Sequence, residues 1–173
     1  LFVNTFDVSP FLGGTERITD TLCREFRKRC LCRCYLAYYE GIDSLYKKTV
    51  FDGRLCLGSR KNVALLIDYI VKKDIDVVLL QGQLGLAKGI RQAIGKKIKI
   101  IFAHHLYPGV EREDVSWSNS VLKCWKSRGL MANMLRLTAY PILKVKHLYA
   151  LPLKYKDTYD SSDKVGLLSS ELI

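Results

Sequence analysis

Apolar residues in this chain come in short continuous runs separated by helical stripes. The β-branched and aromatic opening over 1–6 predicts a strand. A loop over 7–14 then closes on Gly13-Gly14. Thr15 stands where a helix N-cap is expected, with Glu16 in the first turn. Ile18, Leu22 and Phe26 recur every four residues as one stripe of that helix. Arg24, Arg27, Lys28 and Arg29 gather at its end, where cations suit the helix dipole. Residues 34–39 predict a second strand, and 49–57 a weaker one broken at Asp52-Gly53. Val63, Leu66, Ile67 and Ile70 have the i, i+3, i+4, i+7 spacing of an amphipathic helix. The aliphatic run Val77-Val78-Leu79-Leu80 predicts a buried strand. Leu86, Ile90 and Ile94 mark a helix ended by Gly95, 99–103 another buried strand, and 164–168 a last one.

Alternating strands and helices imply an α/β fold, a Rossmann-like parallel sheet with helices on both faces. The continuous apolar runs suit strands covered on both sides. The stretch 107–163 breaks the alternation and is too long for a bare connection, so it is expected to be a helical insert. A chain of 173 residues suffices for one domain with a real core, 1–173. With 49% hydrophobic and 26% charged residues it is neither disordered nor fibrous in composition. Its apolar runs are far shorter than the roughly 20 residues of a spanning helix. Leu1 stands in place of Met, and the opening lacks the pattern of a signal peptide, so the chain reads as beginning inside its first strand.

In such sheets ligands bind beyond the carboxyl ends of the strands. Three features fall there: Gly13-Gly14, Gln81-Gly82 and His104-His105. Paired glycines let backbone approach a ligand, and the helix start at Thr15, Glu16 and Arg17 offers free N–H groups to an anion or a sugar hydroxyl. The plain alternative is a strand–helix turn. The run is neither G-x-G-x-x-G nor a phosphate-binding P-loop. Of His104 and His105, adjacent on a strand, at most one faces a given cleft, as a proton-transfer group or a sugar ligand. The alternative is a structural histidine.

Lys and Arg number 28 against 17 Asp and Glu, a net charge of +11, which points to an anionic partner. The charge is lopsided. Residues 115–156 hold eight basic residues, among them Lys123, Lys126, Arg128 and Arg136, and no acid; both Trp117 and Trp125 lie there. That composition suits a surface resting on anionic lipid, or an ordinary solvated face. No RNP, zinc-finger or helix-turn-helix pattern supports nucleic-acid binding, and none is expected. The six cysteines form no C-x-x-C pair, so no metal site is expected; they read as reduced, small apolar residues. Cys30, Cys32 and Cys34 alternate, and on a strand would share one face.

An opening strand, a loop ending Gly13-Gly14-Thr15-Glu16-Arg17 and a helix with stripe Ile18, Leu22, Phe26 resemble the amino-terminal domain of GT-B glycosyltransferases of the family 4 kind. Ile75-Asp76-Val77-Val78, the strand ending Phe102-Ala103-His104-His105 and Asp163-Lys164-Val165-Gly166-Leu167-Leu168-Ser169 are similar too. The resemblance implies an acceptor-side domain facing a second Rossmann-like half that holds the nucleotide-sugar and carries two glutamates. That half is not in this chain, which should be inactive alone. Gly13, Gly14, Thr15, Glu16, Arg17, Gln81 and Gly82 then line the substrate cleft, with the glycine amides favouring the diphosphate. His105 or His104 faces it. Trp117, Lys123, Trp125, Lys126, Arg128 and Arg136 face a membrane. The implied activity is retaining transfer of a sugar from a nucleotide-sugar to a glycan or lipid-linked acceptor in envelope or surface polysaccharide synthesis. It needs no cofactor, and its place is cytoplasmic, peripheral at the inner face of the membrane. The alternative is a non-enzymatic Rossmann-like module docking an anionic membrane or acidic partner.

Overall fold

The computed structural model describes residues 1–8, 13–40, 50–58, 62–104 and 130–167. In chain order these form β1 (Phe2–Phe6), α1 (Gly14–Lys28), β2 (Tyr35–Glu40), β3 (Gly53–Cys56), α2 (Val63–Lys72), β4 (Val77–Gln81), α3 (Leu86–Ile94), β5 (Lys99–His104), α4 (Leu130–Ser161) and β6 (Lys164–Leu167). The strands make one sheet in the order β3-β2-β1-β4-β5-β6. Every pairing is parallel. This is the α/β, Rossmann-like fold that the alternating pattern predicts. Val3 of β1 sits opposite Ala37 of β2 on one side and Leu80 of β4 on the other. The chain therefore leaves β1 in opposite directions along the sheet, first through α1 to β2 and later through α2 to β4.

Successive strand residues point to opposite faces, and the two faces have separate cores. Val3, Ala37, Val78, Leu80, Ile100 and Phe102 pack with Leu66 and Ile70 of α2 and Leu86 and Ile90 of α3. Tyr159 of α4 packs onto the same cluster. On the other face Phe2 and Leu36 pack with Cys23 of α1, and with its partly buried Leu22 and Phe26. Helices thus cover both faces, α1 on one and α2, α3 and α4 on the other.

The insert does carry a helix, α4, which contains Pro141 and Pro152. An arginine clamps its end to the sheet. Arg91 of α3 donates to the carbonyls of Ser161 (3.2 Å), Gly95 (2.9 Å) and Ile98 (3.1 Å), and to the Asp163 carboxylate (2.6 Å). The Ile100 N–H also donates to Asp163, at 2.7 Å. That backbone bond, then Arg91, holds the Asp163 carboxyl below the usual carboxylate range.

Three local readings need correction. Thr15 is not the N-cap of α1. Gly13 is, in extended backbone at φ −160°, and Thr15 lies inside the first turn. The third strand is not broken at Gly53 but begins there. A β-carbon at Gly53 would stand 2.7 Å from the Tyr69 hydroxyl, so any other residue would force the Tyr35–Tyr69 ring pair to shift. Cys30, Cys32 and Cys34 do not share a strand face. The α1 helix ends with Cys30 in the left-handed region at φ 52°, and the Leu31 N–H returns to the Phe26 carbonyl at 3.0 Å. That is a Schellman-type stop, and it puts 30–34 in irregular backbone ahead of β2. Only Cys23 and Cys34 are buried, whereas Cys30, Cys32 and Cys56 are exposed. The reading of the cysteines as small core residues therefore holds for two of the five described.

Candidate functional site

A crevice opens at the carboxyl edge of the sheet where the chain reverses direction between β1 and β4. In doubly wound sheets this switch point is where ligands bind. The cavity there is about 460 Å³, lined by Thr5, Phe6, Gly13, Gly14, Thr15, Glu16 and Gln81. The end of β1, the first turn of α1 and the last residue of β4 supply its walls.

The glycines differ. At Gly13 a β-carbon would collide with the Glu16 carboxylate, which folds back over the helix start. At Gly14 a β-carbon meets nothing within 4 Å, so this position faces open space. Glu16 is buried, only 6% exposed. An acidic group in the first turn is favoured by the helix dipole. The cavity thus presents backbone and a carboxylate together, a donor–acceptor set suited to hydroxyl groups.

A buried polar bridge holds this wall in place. The Thr19 hydroxyl of α1 accepts from the Asn4 side-chain amide of β1 at 3.1 Å and from the Gln81 amide of β4 at 2.7 Å. It donates to the Thr15 carbonyl at 2.9 Å. Asn4 and Thr19 are fully buried and Gln81 nearly so. Beside it, the Gln83 amide donates to the Thr5 hydroxyl at 2.6 Å. Farther along the α1 face, buried Asp7 pairs with Arg54, whose guanidinium lies 5.6 Å over the Tyr38 ring.

Sequence reading placed Gly13, Gly14, Thr15, Glu16 and Gln81 at a ligand site, and the structure brings these five together. It does not bring Arg17 or Gly82 to the cavity wall. Arg17 is exposed on the first turn of α1. Gly82, at φ 73°, turns the chain after β4 and donates its N–H to the Ala103 carbonyl at 2.9 Å. His104 lies on the far face of the sheet. Ala103 is in register with Gln81 and shares its face, so His104 points the other way. There it is buried, stacked on Tyr155 of α4 with centroids 5.4 Å apart, and edge-on to Phe102. Its surroundings are those of a packed ring. His105, Trp117, Lys123, Trp125, Lys126 and Arg128 lie outside the described residues, and Arg136 is placed only as a residue of α4.

The chain matches no protein-family model and no curated protein. Among the described residues, no group of three or more His, Cys, Asp or Glu is placed to hold a metal ion. Nor is any helix among them long and apolar enough to cross a membrane.

Thr5, Phe6, Asn4 and Thr19 were not singled out from the sequence. The available signal was Asn4, a polar residue at a sheet-facing position between Phe2 and Phe6. A buried amide needs a partner, and Thr19, one turn past Thr15, supplies it.

Proposed function

We propose that this chain is the acceptor-side half of a GT-B glycosyltransferase that moves a sugar from a nucleotide-sugar to a glycan or lipid-linked acceptor, with retention at the anomeric carbon. The observation that carries the reading is the switch-point cavity with Gly14 open to it and Glu16 in its wall. A carboxylate and exposed amides suit the hydroxyl groups of an acceptor sugar. The Glu16 carboxylate beside Gly13 weighs against the expectation that the Gly13-Gly14 amides favour the diphosphate, and we seat the nucleotide in the facing half. Gly13 and Gly14 shape the passage, and Gln81 closes its floor. Transfer of this kind proceeds in the cytoplasm at the inner face of the envelope membrane.

Gly14→Val in the full protein tests this. Two methyl groups then enter the cavity, while the helix start loses nothing, because valine is no worse a helix former than glycine. Sugar transfer should fall at least ~10-fold, the cost of misplacing a bound reactant, with the melting temperature held. Unchanged transfer in a folded variant would overturn the reading.

One observation favours a second reading, a module that docks an anionic membrane. On α4, Ile142, Val145, Tyr149 and Leu153 recur at helical spacing and are 53–73% exposed. Lys144, Lys146, Lys154 and Lys156 share that helix, and no acid precedes Asp157. Exposed apolar side chains on a helix rich in lysine suit contact with an anionic lipid surface. Co-sedimentation should rise with the phosphatidylserine content of liposomes and fall with salt. Equal recovery on neutral and anionic vesicles would remove this reading.

A further inference from the structure

At the opposite edge of the sheet from the cavity, three thiols meet. Cys34, buried just ahead of β2, packs in the same core cluster as Cys23 of α1. Cys23 also donates to the Val50 carbonyl at 3.3 Å. On its other side Cys34 Sγ lies 4.0 Å from the Sγ of Cys32, which is exposed. One residue, Arg33, separates the pair. On a regular strand, side chains two apart stand parallel and cannot join. Here the left-handed Cys30 ends α1 and leaves 30–34 irregular, which is what lets the two sulfurs converge.

Cys32, Arg33 and Cys34 also line a groove of about 500 Å³ on the α1 face of the sheet, walled by Phe2, Leu79 and Ile101. A small, partly apolar oxidant can therefore reach Cys32. Burial pushes the Cys34 and Cys23 thiols up, which keeps both protonated and slow toward an oxidant in solution. The exposed sulfur is left to react first.

We propose that Cys32 and Cys34 are a peroxide-reactive thiol pair that closes to an intrachain disulfide, with a hydroperoxide as the oxidant. The Cys32 thiolate attacks the terminal oxygen of the hydroperoxide and the O–O bond breaks. The alkoxide leaves, takes up a proton as the alcohol, and Cys32 becomes a sulfenic acid. The Cys34 sulfur then attacks the Cys32 sulfur. The S–S bond forms, and the sulfenic hydroxyl departs with the Cys34 proton as water. Two thiols are oxidised by two electrons, and one hydroperoxide is reduced to alcohol and water. The sulfurs need to close by about 2 Å to reach disulfide length. The movement draws Cys34 away from Cys23 and loosens the contact between α1 and β2.

The test is one equivalent of cumene hydroperoxide added to the reduced full chain, followed by thiol titration and a tryptic map under non-reducing conditions. Cleavage after Arg33 separates Cys32 from Cys34, so the disulfide shows as two joined peptides. Two thiols per chain should disappear, with the joined peptides present in the native chain and in Cys30→Ser. In Cys32→Ser, whose change is at an exposed site, the join should be lost and the disappearance of the Cys34 thiol slowed at least ~10-fold. Persistence of all thiols, a link made through Cys30 or Cys23, or links only between chains would each overturn the proposal.

Discussion

Replacing Phe102 by alanine is expected to destabilise the fold by about 3–5 kcal/mol, the usual cost of emptying a large aromatic site in a core. Phe102 is completely buried at the middle of β5. Its neighbours offer little collapse into the space. Val78, Leu80 and Ile100 are fixed by sheet register, and Tyr159 meets the Phe102 ring at 5.9 Å from the far side. The ring also backs His104, which stacks on Tyr155. Loss of Phe102 therefore loosens the end of α4 as well as the sheet. Urea unfolding with an unchanged slope measures the loss. Ile101→Ala is the control: its side chain faces the groove on the α1 side, half-exposed, and should cost clearly less. Equal losses at 101 and 102 would show that the assignment of faces is wrong.

That contrast shows what the sequence made legible. Continuous aliphatic runs identified β4 and β5, because strands covered on both sides need no polar positions. The 3.6-residue stripes identified α2 and α3, since each buries one face; α1 was also found, but it buries Glu16, Thr19, Asp20 and Cys23, and its stripe of Ile18, Leu22 and Phe26 is only partly buried. The extent of α4 was hidden. Proline removes a helix hydrogen bond, yet the helix runs through both Pro141 and Pro152. Its exposed stripe of Ile142, Val145, Tyr149 and Leu153 also blurs the periodicity that a one-sided helix displays. The alternation of Cys30, Cys32 and Cys34 carries no sign of the left-handed backbone at Cys30 itself.

The site was legible in part. Gly13 and Gly14 announce themselves by composition, and a turn between strand and helix is enough to place them. Gln81 could be placed at the end of β4, but whether it reaches the glycines depends on β4 lying beside β1. That adjacency is long-range and leaves no mark in local pattern. The same adjacency decides the histidine. Register puts Ala103 with Gln81 and sends His104 to the other face. A one-residue shift in strand pairing would have reversed the assignment.

The bridge that joins β1, α1 and β4 beneath the cavity gives the second large effect. Thr19→Val keeps the shape of the side chain and removes only its oxygen. The side-chain amides of Asn4 and Gln81 then lose their shared acceptor in a place closed to water. The Asn4 donor left unmatched costs about 1–3 kcal/mol, so a loss of that size is expected, large for a change of no volume. Thr19→Ser retains the oxygen and should lose no more than about 1 kcal/mol, its missing methyl group. Adding Asn4→Leu to Thr19→Val removes the stranded amide. The pair should therefore be less destabilised than the sum of its parts, by about 1–2 kcal/mol in a double-mutant cycle. Strict additivity would mean that the two side chains do not share the bond. Thr19 also anchors the first turn of α1 through the Thr15 carbonyl. On the proposed function, Thr19→Val in the full protein should thus weaken acceptor use at temperatures where the fold persists, because the glycine wall of the cavity is no longer held against β4.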